Sequence, residues 1–188
     1  QTAQHSIELH DFVAELEAVK SIIIKEHQSL YLNDIQSLIN KTKLFGYHFA
    51  ILDIRQDSRA HDSVFNAMVN VLIDSGSHIF PKNYHKLSEK EQVKLLSNVK
   101  GKIDLNLIKD DDVLKALNTM KVIKTIQESN GEQACCRYII SNNQTTLNVM
   151  QLYAMLKLVA FEDELTVDIG PLFETITDLE NAPAVMEE

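Results

Sequence analysis

Cysteine is nearly absent: two residues among 188, Cys135 and Cys136, side by side. Neighbouring strand residues point to opposite faces, so a disulfide between them would be strained. With Ala134 and Arg137 on either side they also lack the partners of a metal site. The pair reads as two small apolar strand residues in a reducing, cytoplasmic compartment. The seven histidines contain no i, i+4 pair of the kind that holds a metal on a helix face. Basic residues are scarce as well: 18 Lys and Arg against 27 Asp and Glu, a net charge of −9. That argues against a nucleic-acid surface, which needs a basic patch to neutralise phosphates. No run of eighteen apolar residues occurs, which excludes a membrane-spanning helix. The first residues, Gln1-Thr2-Ala3-Gln4, lack Met and lack the basic-then-apolar order of a signal peptide; they read as sequence internal to something longer. No internal repeat or low-complexity segment is visible.

What is present suits a globular domain, or part of a larger one. Hydrophobic residues make up 45% and charged residues 24%, enough for a real core under an ordinary surface. Leu9, Phe12, Val13, Leu16, Val19, Ile22 and Ile23 recur at helical spacing and predict a helix from about residue 6 to 27. A second helix is expected from about 32 to 44, stopped by Gly46. Ser58 can cap the next helix, whose apolar stripe is Val64, Met68, Val71 and Leu72. Residues 76 to 87 read as a loop. Ser88 and Glu91 form a capping box for a short helix ending near Gly101. Asp110, Asp111 and Asp112 open another helix, favourably placed against its positive end; a cation site is the alternative for this triplet. That helix runs to about Ser129. Further helices are expected around Leu147 to Val159 and after Thr175.

Three segments read as strands: residues 47–55, 135–141 and 167–174. Pro171 sits awkwardly inside the third unless the strand starts late or bulges. The order α-α-β-α-α-α-β-α-β-α implies parallel pairing. The expected fold is helix-rich α/β, with three parallel strands and about seven helices. Three parallel strands make a poor independent sheet but a good sector of a (β/α) barrel. Each strand ends in a polar group: Arg55-Gln56, Ser141-Asn142-Asn143 and Glu174-Thr175. In such barrels the reactive groups gather at the carboxyl ends of the strands. Asp53 and Arg55 are two apart and share a face. They are either a structural ion pair, or a clamp in which Arg55 grips a phosphate or carboxylate and Asp53 steadies the guanidinium. Glu174 is either a helix N-terminal residue or a carboxylate able to bind Mg²⁺.

Phe45-Gly46 followed by Leu52-Asp53-Ile54-Arg55-Gln56-Asp57-Ser58 resembles the first of three motifs of the phosphoenolpyruvate carboxylases. Tyr138-Ile139-Ile140-Ser141 resembles the second. Pro171-Leu172-Phe173-Glu174-Thr175 with Asp178-Leu179-Glu180-Asn181-Ala182 resembles the third. The three stand in family order, and the likeness runs from about residue 35 to the end, least specific over 76 to 130. It implies that residues 1–188 are one segment of a larger catalytic barrel. The implied reaction joins bicarbonate to phosphoenolpyruvate, giving oxaloacetate for the tricarboxylic acid cycle and phosphate, with Mg²⁺ or Mn²⁺ as cofactor. The implied partners are these substrates, the rest of the parent enzyme and further copies of it in a homo-oligomer. By the same resemblance Arg55 is catalytic and substrate-binding, Gln56 is substrate-binding and Glu174 is a metal ligand.

Several family parts are absent from the chain: the Thr-Ala-His-Pro-Thr-Glu segment with the catalytic His, the mobile loop rich in Gly and Arg, and the second metal carboxylate. After Ser141 the chain reads Asn142-Asn143-Gln144, where the family usually continues Met-Ala. The alternative function is a non-catalytic, mostly helical module whose acidic surface binds partner proteins.

Overall fold

A computed structural model describes residues 7–187. Gln1 to Gln4, read above as internal sequence, lie outside the described residues. The chain divides into two compact units, Gln1–Ile51 and Leu52–Glu188.

The first unit carries α1 (Leu9–Glu26) and α2 (Leu32–Phe45). Lys43 Nζ reaches Glu17 Oε1 at 2.9 Å and ties the two helices together. Gly46 ends α2 with φ +51°, and a Cβ there would lie 2.9 Å from the His48 ring. Glycine is therefore required at this stop. The strand expected from residue 47 does not begin there. Phe49 has φ +61°, its side chain is exposed, and the Ala50 N–H turns back to the His48 carbonyl at 2.6 Å. A strand also needs a partner. The next ladder starts only at Arg137, so Leu52 bonds to Ala134 in a 3₁₀ turn and extended pairing waits until Asp53.

The second unit follows the expected order. It contains β1 (Asp53–Asp57), α3 (Ser58–Asp74), α4 (Glu89–Leu96), α5 (Asp111–Asn130), β2 (Arg137–Ser141), α6 (Thr146–Val159), β3 (Asp168–Pro171) and α7 (Ile176–Glu187). The sheet runs β1-β2-β3, all parallel. Asp53, Arg137 and Asp168 share one rung; Arg55, Ile139 and Gly170 share the rung two residues on. Asp57, not Ser58, caps α3: its side chain accepts from the Arg59 N–H, and Ser58 is the first helical residue. The helix opened by Ser88 stops at Leu96, short of Gly101. Cys135 belongs to a 3₁₀ turn rather than to β2. Pro171 closes β3, and pairing still continues through the Leu172 N–H to the Ile140 carbonyl at 2.8 Å. A proline costs no ladder bond at that end of an edge strand.

One face of the sheet is covered. Tyr138 and Ile140 pack with Phe65, Met68 and Leu72 of α3, Leu117 and Met120 of α5, and Leu152 and Leu156 of α6. The loop over residues 76–87 is pinned by Phe80 and Tyr84, which meet edge to face at 5.2 Å and both lie against Phe65 at 5.9 Å. Helix α6 is apolar nearly all round and accordingly deeply buried. The other face carries Asp53, Arg55, Arg137 and Asp168, all exposed.

Candidate functional site

On the uncovered face Asp53, Arg137 and Asp168 open their strands, whereas Arg55 and Glu174 stand nearer the carboxyl ends. Arg55 comes from the middle of β1, and Glu174 follows β3 by three residues. Arg55 Nη2 donates to Glu174 Oε1 at 2.7 Å, across the line of β2. Both side chains keep much of their surface in solvent, 60% for Arg55 and 39% for Glu174. The Asp53–Arg55 pairing weighed from the sequence is not formed; Arg137 Nε takes Asp53 Oδ1 at 3.0 Å instead. The reason is spacing. Residues two apart on a strand stand roughly 6.6 Å apart, whereas neighbours across a ladder stand about 4.8 Å apart, and Asp53 is paired in register with Arg137. So Arg55 and Glu174, two of the sequence-derived candidates, are brought together by the fold.

Gln56, the third candidate, is on the opposite side of β1 by strand alternation. Its Oε1 accepts from the Asp57 N–H at 2.9 Å. On that side Gln56 helps to line a cavity of about 120 Å³ with Ile54, Val64, Met120, His61 and Tyr138. His61 is buried and lies 3.1 Å, Nε2 to Oη, from Tyr138, with no partner for its Nδ1. Burial pushes the His61 imidazole down to about 4, against the opposing pull of the nearby Asp57 carboxylate. Burial likewise raises the Tyr138 phenol to about 12. At the head of α3, Asp57 receives two side-chain hydrogen bonds from Arg59, at 2.9 and 2.8 Å. These, with the Arg59 backbone N–H, hold the Asp57 carboxyl at about 2.

Sequence reasoning missed Arg59, His61 and Arg137. The two arginines were visible as charges beside strand residues, but their partners follow from register and cap geometry. Nothing in the local pattern marked His61 as buried.

Among the described residues no group of three His, Cys, Asp or Glu is placed to hold a metal ion. Glu174 offers a single carboxylate, and a hard divalent cation takes about six oxygen ligands. The chain thus fits as the donor of one ligand to such an ion, not as a complete site. The arrangement pairs a fork of N–H donors, suited to phosphate or carboxylate oxygens, with a carboxylate suited to a cation, at the strand-end edge of a parallel sheet.

A family model described as phosphoenolpyruvate carboxylase matches residues 1–188. A phosphoenolpyruvate carboxylase of a Synechococcus species is 30% identical over 183 residues, covering 93% of this chain and 17% of that protein. One from Prochlorococcus marinus subsp. pastoris is 28% identical over 194 residues, covering 98% of this chain and 19% of that protein. Another from Prochlorococcus marinus is 28% identical over 190 residues, covering 96% and 18%. The chain spans less than a fifth of the length of these curated relatives.

Proposed function

This chain belongs to the phosphoenolpyruvate carboxylase family, and from that premise we propose that residues 1–188 form one segment of the catalytic (β/α) barrel of a cytoplasmic, homo-oligomeric carboxylase. The enzyme joins bicarbonate to phosphoenolpyruvate and releases oxaloacetate and phosphate. Parallel sheets are normally covered on both faces or closed into a barrel. Here helices cover one face and leave the other, which bears Asp53, Arg55, Arg137 and Asp168, exposed; closing the sheet into a barrel would turn that face inward. Strands β1 and β3 are the outer strands of the three, where further barrel strands would pair. No described helix is long and apolar enough to cross a membrane. The reading as a non-catalytic interaction module finds no counterpart among the relatives above, each of which is named as a carboxylase.

The observation that carries this reading is the 2.7 Å approach of Arg55 to Glu174 at the strand ends. In the proposed reaction bicarbonate attacks the phosphoryl group, and the carboxyphosphate so formed delivers CO₂ to the enolate. Arg55 grips the phosphate oxygens with its fork of donors and stabilises the charge that shifts onto them. Gln56 shares the motif but stands on the other side of β1 with its Oε1 engaged, so a substrate role for it would act through its N–H₂ from that side. Glu174 supplies one oxygen ligand to Mg²⁺ or Mn²⁺, whose bound charge would neutralise the enolate oxygen. Until both ligands arrive, Arg55 and Glu174 neutralise each other.

The test is a steady-state series over Mg²⁺ and over phosphoenolpyruvate in the full-length enzyme containing this segment. Glu174→Gln keeps shape and removes the charge, so the Mg²⁺ dependence should weaken and turnover fall by about 10²–10³. Arg55→Lys keeps the charge and loses the fork, so phosphoenolpyruvate handling should suffer most. Unchanged Mg²⁺ dependence in Glu174→Gln would remove the metal assignment. Wild-type behaviour of Arg55→Lys would leave the ion pair a structural one.

A further inference from the structure

The Asn142-Asn143 turn after β2 takes no part in the chemistry above, yet it touches the ends of both neighbouring strands. Asn142 holds φ +53°, a left-handed conformation that asparagine tolerates better than most residues. That twist presents its carbonyl to Ser58, the residue that follows β1, and Ser58 Oγ donates to it at 2.6 Å. Ser58 is buried, so the bond is shielded from water. The next residue reaches the other way: the Asn143 N–H donates to the carbonyl of Leu172, just past β3, at 3.2 Å. Asn143 is fully buried. Its Nδ2 donates to the Thr145 carbonyl at 3.4 Å, and its Oδ1 has no partner. The outgoing side of the turn is fixed as well, since Asn148 Oδ1 accepts from the N–H groups of Gln144 and Thr145 at the start of α6.

We infer that Asn142-Asn143 is a latch that sets the spacing of Arg55 and Glu174. Arg55 lies three residues before Ser58, and Glu174 two residues after Leu172. Each is thus two or three residues along the chain from a hydrogen bond to the same turn. Arg55 and Glu174 stand on opposite sides of β2 and have no covalent path between them shorter than the intervening strands. The latch gives them a common reference. Ser58 and Asn142 act through the backbone and are positioning residues; neither touches the reacting groups. This inference rests on the reading of Arg55 and Glu174 as the substrate and metal residues.

The experiment uses the full-length enzyme with Ser58→Ala, Asn142→Val and Asn142→Gly, each assayed for half-saturating Mg²⁺, half-saturating phosphoenolpyruvate and melting temperature. Ser58→Ala deletes only the hydroxyl. Asn142→Val disfavours the left-handed turn, and Asn142→Gly permits it. Ser58→Ala should raise both half-saturating concentrations about fivefold, the equivalent of one lost neutral hydrogen bond. Asn142→Val should raise them at least as much, and Asn142→Gly should stay near wild type. If Ser58→Ala shifts the melting temperature but leaves both concentrations unchanged, the turn only stabilises the fold and the latch is refuted. Ser58→Ala alone decides the matter if Asn142→Val does not fold. Glu174→Gln runs as the control: if it leaves the Mg²⁺ dependence untouched, the underlying site reading fails and the latch with it.

Discussion

An exposed ion pair and a buried histidine show how burial separates structural from chemical roles. The Arg55–Glu174 pair is half open to solvent, and ion pairs of that kind contribute about 0–1 kcal/mol. Glu174→Gln should therefore leave the urea midpoint of the chain almost unchanged. A loss above about 2 kcal/mol would mean that the pair is chiefly structural. His61 behaves in the opposite way. Its folded value of about 4 lies below its ordinary 6.5, so the unfolded chain binds the extra proton first. The stability this contributes is complete above about pH 6.5 and is lost as pH falls toward 4. The difference corresponds to roughly 3 kcal/mol in all, with about 2 kcal/mol gone by pH 5. Urea titrations of the wild type and of His61→Gln at pH 7.5 and pH 5 should show the wild type losing that much more than the variant. Parallel losses would assign the acid sensitivity to other groups.

The elements differ sharply in what their sequence must satisfy. Helix α1 has no buried residue, whereas α6 has eight, from Thr146 to Val159. Truncating Leu156, which is fully buried, should cost about 2–5 kcal/mol. Truncating the exposed Ile24 of α1 should cost less than about 0.5 kcal/mol. Equal effects in thermal melts would contradict the core assignment. Caps matter in the same way. Asp110 accepts from the N–H groups of Asp112 and Val113 at the head of α5, and Asp110→Ala should lower stability by about 1 kcal/mol. The acidic triplet is thus a helix start, as one of its two sequence readings had it.

At the scale of the second unit, one sheet face and two outer strands are left without partners among its described residues. The purified 188-residue chain should self-associate, because uncovered strand edges pair with whatever strand is available. Light scattering with an apolar-binding dye reads this out, and a monodisperse monomer that binds no dye would count against the barrel-sector reading. The same chain should give no bicarbonate-dependent oxaloacetate in an assay coupled to malate dehydrogenase. It carries one proposed metal ligand and one proposed phosphate ligand, and the reaction needs positioned acid, base and metal groups together. Measurable turnover would overturn that division of labour.

The order of elements was legible in the amino-acid sequence, because each signal is local. Apolar periodicity set α1 and α3, the acidic triplet set the start of α5, glycine set the stop at Gly46, and the Ser88–Glu91 box set the start of α4. The motifs around Arg55 and Glu174 were legible too, as residue types in a recognisable order. The pairing was not. The sequence offered Asp53 as the partner of Arg55, but the strand register gave Asp53 to Arg137, and the chain leaving β3 brought Arg55 to Glu174, a residue 119 positions away. Strand 47–55 overlaps the observed β1 only at residues 53–55 for the same reason, since an apolar run becomes a strand only where another strand lies alongside. Local chemistry along the chain determined which elements form. Only the parallel sheet, by bringing distant strand ends to one edge, decided which charges meet.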